Sequence, residues 1–163
     1  MVPEEAPRPQ EATDFPATGV NSLASFTQRG TARGIDAMVP FVPAVAILMV
    51  LALRDGSGTE ALPRWPVFVG IAIAVVYETA FVAWRGQTIG KMLLGVRVAQ
   101  LVNGAKPDRS QSALRALVPA SALSLPGVIG IGLYLFVLLM AVPSELRRGI
   151  HDHAGGTVVV RSR

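Results

Sequence analysis

Residues 65–91 read WPVFVGIAIAVVYETAFVAWRGQTIGK, and the run between the two tryptophans decides the fold. From Trp65 to Trp84 it carries a single charge, Glu78. At about 1.5 Å of helical rise per residue this run reaches roughly 28 Å, close to the hydrocarbon thickness of a bilayer. A Trp at each end suits the two membrane interfaces. A carboxylate inside lipid is costly, so Glu78 should face protein, water or a partner.

The composition agrees. Of 163 residues 51% are hydrophobic and only 16% charged, with a mean hydropathy of +0.47. That is too apolar for an ordinary soluble domain and fits a small polytopic membrane protein, with the bilayer as its first partner. The net charge is +4 and the pI about 10.3. The basic residues fall mainly between apolar runs, where they set topology and touch anionic lipid; nucleic acid is not an expected partner. Cysteine is absent, which removes disulfides, thiolate nucleophiles and Cys metal sites.

Outward from the central run, residues 1–28 are polar and proline-rich and read as a disordered cytoplasmic tail without a signal peptide. Ala37 to Leu53 carries no charge and reads as the first transmembrane helix. Its entrance holds Arg29, Arg33 and Asp36, which share one face if that stretch is helical, so Asp36 is expected to pair with an arginine. A helix starting there leaves Pro40 and Pro43 near its first turns, where a missing donor matters little; the sharper alternative is a bent helix. Gly86 is the expected stop of the second helix.

Arg85 to Arg115 holds six Lys or Arg against one Asp, so this connection is expected on the cytoplasmic side, with the N-terminus. Within it a short strand is expected at about 94–102, followed by the Asn103-Gly104 turn signal. TVVVR at 157–161 is a second β-rich run that could pair with it. Residues 112–142 are apolar except for Arg115, too long for one crossing and too short for two. The break at Ser124-Leu125-Pro126-Gly127 and the arginines 147 and 148 favour a helical hairpin that returns the chain to the cytoplasm over the alternative of a short interfacial helix and a single span from about 127 to 142. The fold class expected is thus all-α and membrane-embedded: two transmembrane helices, a third apolar region forming a hairpin, and a small cytoplasmic β element.

Several motifs are weighed and set aside. GQTIGK is one residue short between its glycines for a phosphate loop, and Met92 stands where Ser or Thr should hold magnesium. Its expected job is a tight interfacial turn in which Lys91 meets lipid phosphate. His151-Asp152-His153 lacks further ligands for a metal, and Asp152 is expected to accept backbone hydrogen bonds or pair with an arginine. No catalytic constellation is present, so an enzyme is not expected, nor is a cofactor.

The pieces RGTARGID (29–36), RGQTIGKMLLGVRV (85–98), the Asn103-Gly104 turn, ALRAL (113–117) and RRGIHDHAGGTVVV (147–160) resemble, in order and spacing, the RDD family of small membrane proteins. The resemblance covers about 29–161. It implies that the family arginine is Arg29, with Arg33 as the nearby alternative, and that the two aspartates are Asp36 and Asp152. Ser144-Glu145-Leu146 departs from the family pattern before the last motif. The family's role is mostly unknown; transport of an undefined ligand, including sodium/proton antiport, is what it implies. The candidate ion or ligand site is accordingly Arg29, Asp36, Glu78 and Asp152, supported by Arg33, Lys91 and His151. Two functions compete: a cation/proton exchanger using Glu78 and Asp36, or a non-transporting scaffold or accessory subunit whose charges are structural. A homo-oligomer or a separate protein partner is compatible with either.

Overall fold

The computed structural model describes residues 11–55 and 64–163. Residues 1–10 of the expected tail, and 56–63 of the loop between the first two helices, lie outside the described residues. The order is α1 (Phe26–Asp55), α2 (Trp65–Arg85), α3 (Ile89–Leu93), β1 (Val96–Gln100), α4 (Arg109–Leu123), α5 (Gly127–Leu139), α6 (Ile150–Ala154) and β2 (Thr157–Arg161).

Helix α1 starts eleven residues before the apolar run does. The cause is local. Ser25 Oγ accepts from the Gln28 N–H at 3.1 Å while Gln28 Oε1 accepts from the Ser25 N–H at 3.0 Å, a reciprocal cap at Ser-x-x-Gln. Pro40 and Pro43 therefore lie well inside the helix, not in its first turns. The tail boundary also moves. Ser22 and Ala24 are buried, Leu23 bridges Val160, and the Ala24 N–H donates to Val159 O at 3.1 Å, so this segment is stitched to β2.

α2 runs antiparallel to α1. Tyr77 and Glu78 lie beside Asp36 and Arg33, and a Cβ on Gly70 would touch Ala44 at 3.2 Å. α2 ends as expected at Gly86, whose φ of +70° needs glycine and whose N–H donates to Val82 O.

β1 and β2 pair antiparallel, Val96 opposite Arg161 and Gln100 opposite Thr157. Val96 and Val159 meet Ala24 on one side of this ribbon, while Ala99, Val158 and Val160 meet Leu23 and Phe15 on the other. α4 and α5 form the expected hairpin around Ser124–Pro126, with α4 opened by Asp108, which accepts from the Gln111 N–H at 2.8 Å. α4 also packs on α2 and on α6. The hairpin thereby returns the chain to the end of the molecule that carries α3 and the sheet.

Among the described residues two helices, Phe26–Arg54 and Trp65–Arg85, are long and apolar enough to cross a membrane. Of the apolar window of each, 6% and 17% is buried within the protein, whereas the core helix of a soluble domain would be mostly buried. Phe41, Leu53, Val76 and Trp84 point outward, as do Val128 and Ile129 of α5. Apolar surface this continuous requires a covering phase.

Candidate functional site

Three buried carboxylates lie where α1, α2, α3, α4 and α6 converge. Each is held differently.

Asp152 sits in α6 and is fully buried. It pairs with Arg29 from α1 through one oxygen and with Arg115 from α4 through the other. The Gly149 N–H adds a 3.2 Å bond, and Arg115 also donates to Thr157 Oγ1 at 3.0 Å. Arg29 donates in addition to the Arg147 carbonyl. Burial alone would raise the Asp152 carboxyl, but the arginines and this N–H outweigh it and hold it well below the usual carboxylate range. Burial lowers neighbouring His151 to about 3, only partly opposed by Asp152, so its ring is neutral at physiological pH.

Glu78 of α2 accepts from Arg33 of α1 at 2.5 Å through Oε2. Its Oε1 lies 3.5 Å from Arg115 Nε and 3.6 Å from Lys91 Nζ, without a hydrogen bond from either. Arg115 therefore bridges the two ionic carboxylates. Burial lowers the Lys91 ammonium to about 8, against the pull of Glu78 and with the push of Arg115 and Arg33.

Asp36 of α1 differs. It accepts from Thr88 Oγ1 at 2.5 Å, from the Gly90 N–H at 2.8 Å and from Tyr77 Oη at 2.9 Å. Among the described residues no arginine pairs with it, in contrast to the expected Asp36–arginine pair. Helical spacing puts Arg29, Arg33 and Asp36 on one face, but their side chains reach different elements. The nest explains the GQTIGK motif: a Cβ on Gly90 would lie 2.2 Å from the Ala32 carbonyl, so α3 meets the α1 backbone only because residue 90 is glycine. One step along α3, Lys91 turns into the protein. It is 6% exposed and does not reach the surface as a lipid-phosphate contact should.

Arg29, Asp36, Glu78, Asp152, Arg33, Lys91 and His151 are thus all gathered at one end of the molecule. Arg115, Tyr77 and Thr88, whose side chains touch the carboxylates directly, were not among the residues expected at the site. Arg115 is the single charge in a long apolar run, the signal that already singled out Glu78. Tyr77 and Thr88 carry no comparable signal. His153 stays apart, its Nδ1 2.9 Å from the Gly149 carbonyl. Among the described residues no group of three or more His, Cys, Asp or Glu could hold a metal ion.

The Arg29–Asp152 pair joins the two ends of the sequence signature through one contact, and the RDD family matches the chain over residues 23–156. The chain belongs to the RDD family. It is similar to the uncharacterized protein YckC of Bacillus subtilis (strain 168), with 27% identity over 139 residues that cover 83% of each chain. No solved structure matches the chain. Within the RDD chain Arg29 and Asp152 are an ion pair, while Asp36 clamps α3 to α1.

Proposed function

We propose that this RDD protein is a multi-pass protein of the cell membrane. In this reading α1 and α2 cross the bilayer, and the α4–α5 hairpin enters from the side that carries the sheet. The basic connection from Arg85 to Arg115 argues for that side, and with it the N-terminus, being cytoplasmic. Within the membrane it acts as a non-transporting module, a scaffold or accessory subunit whose buried charges join its parts.

One observation carries the reading. Asp36, Glu78 and Asp152 each hold partners from other elements, and the charged neighbours of Glu78 and Asp152 are basic. A cation/proton exchanger needs a carboxylate that trades its proton for an ion, and a coordination shell of oxygens around that ion. At Glu78 and Asp152 basic side chains fill those places, and at Asp36 two hydroxyls and a backbone N–H do. In proteoliposomes the protein should therefore give no proton movement driven by sodium, potassium or lithium gradients from pH 6 to 9. A flux that Glu78→Gln abolishes, in protein that still folds, would return the exchanger to first place.

A further inference from the structure

A second feature of the same region goes beyond that reading. A cavity of about 350 Å³ opens beside the charge cluster, between α1, α5 and the sheet. That is within the size range of sites for small organic ligands. Its lining divides by chemistry. The inner wall carries Arg29, Arg33, Lys91, Arg115 and His151, and among the described residues no carboxylate lines it. The outer wall is apolar, with Phe26, Leu135 and Leu139 each about half exposed (47%, 48% and 51%), on a surface of the kind that α1 and α5 turn to lipid.

The inner wall is richer in donors than in acceptors: Lys91 Nζ and Arg115 Nε share one carboxylate oxygen, Glu78 Oε1, at 3.6 and 3.5 Å. Neither contact is a hydrogen bond, so among the described residues Lys91 Nζ and Arg115 Nε lack a hydrogen-bond partner, although the residues are only 6% and 2% exposed. A buried donor left unmet costs about 1–3 kcal/mol, more when charged. The charges do not balance either. Four Lys or Arg face two carboxylates behind them, Glu78 and Asp152, which leaves two positive charges; counting Asp36 on the far side leaves one. Space is also kept open. Gly30 and Gly34, one turn apart on α1, line the cavity, and a Cβ built on either meets nothing within 4 Å.

We propose that this cavity binds an anionic amphiphile, its phosphate or carboxylate head against Lys91 and Arg115 and its alkyl chain leaving between Phe26, Leu135 and Leu139 into the bilayer. Arginine suits the head because its planar donor fork matches both oxyanions, and an anion there meets the unpartnered donors and offsets the surplus charge. The apolar exit distinguishes such a ligand from a free anion, which would leave half the lining unused.

The test uses full-length protein in nanodiscs of zwitterionic lipid. Dodecyl phosphate is titrated as the whole ligand, inorganic phosphate as the head alone and dodecyl maltoside as a tail with a neutral head, with binding read by calorimetry. Dodecyl phosphate should bind saturably at one per chain, and inorganic phosphate at least tenfold more weakly. Lys91→Met should weaken dodecyl phosphate tenfold or more. Gly34→Leu should do the same by filling the cavity, with helix content retained, since leucine favours a helix over glycine. Equal binding of dodecyl phosphate and dodecyl maltoside would overturn the proposal, as would indifference to both substitutions. Equal binding of inorganic phosphate would overturn the amphiphile and leave only a small-anion site.

Discussion

Asp36 and Asp152 are both buried carboxylates of the RDD-matching region, and the protein treats them in opposite ways. Asp152 is neutralised by full charges, Arg29 and Arg115, and lies in the last helical turn before β2. Asp36 is held by neutral donors: two hydroxyls and one backbone N–H. The difference teaches what each is for. An ion pair joins elements distant in sequence and tolerates some change of angle, because attraction between charges is not strongly directional. A nest of hydrogen bonds demands one geometry, and Asp36 stands where geometry matters most, at the backbone contact between α1 and Gly90. Glu78 belongs with Asp152 in kind, since its neighbours Arg33, Arg115 and Lys91 are all basic.

Breaking the ionic side should cost most. Asp152→Asn leaves two buried guanidiniums facing an amide, and removing one partner of a buried ion pair typically costs about 3–5 kcal/mol. The thermal unfolding midpoint in a mild neutral detergent, followed by helical circular dichroism, should fall more than for any other single change described below. Glu78→Gln comes next, at about 3 kcal/mol by the same argument. Its Arg33 partner is partly exposed, so some of the freed charge can find solvent or lipid headgroups. Adding Arg33→Met to Glu78→Gln should recover part of the loss, because the double change removes the orphaned guanidinium. If the two losses simply add, the pair contributes nothing as a pair.

Most of the architecture is legible in the sequence, because hydropathy, turn residues and charge are local signals. The α2 helix, its stop at Gly86, the hairpin break at Ser124–Pro126 and the pairing of the two β-rich runs all follow from such signals. The start of α1 was legible too, in the Ser25–Gln28 cap, but hydropathy alone pointed to Ala37. Partner choice within the site was not legible. Spacing put Arg29, Arg33 and Asp36 on one face, and nearness along the helix suggested that they pair. In the folded protein each reaches across to another element, and those tertiary distances leave no trace in local spacing. Lys91 shows the same limit. A lysine in a basic connection normally points to water or lipid phosphate, and only the α1–Gly90 contact turns this one inward.

Asp36→Asn sharpens the comparison from the neutral side. The amide keeps one acceptor oxygen but presents N–H groups to at least one of three donors. A loss of about 1–3 kcal/mol is expected, the cost of a buried donor left unmet. Gly90→Ala should match or exceed it, because its methyl group runs into the Ala32 carbonyl. If Asp36→Asn instead costs as much as Asp152→Asn, charge and not geometry is what Asp36 supplies.

The smallest effect is a dependence on pH. Lys91 faces Glu78 and Arg115, with Arg33 and Asp36 further off, and burial holds its ammonium near 8 in place of the ordinary 10.5. Between these values the unfolded chain binds the proton that the folded protein has released, so stability rises with pH across this window. Each pH unit fully inside it contributes up to about 1.4 kcal/mol. Wild-type protein should therefore gain stability in denaturant titrations from pH 8 to pH 9.5, and Lys91→Met should not. At pH 7 the same substitution should be neutral or slightly stabilising, since it deletes a buried charge that lacks a hydrogen bond. A marked loss at pH 7 would mean that the ammonium is needed to balance Glu78, and would move Lys91 from the surplus of the cluster to its framework.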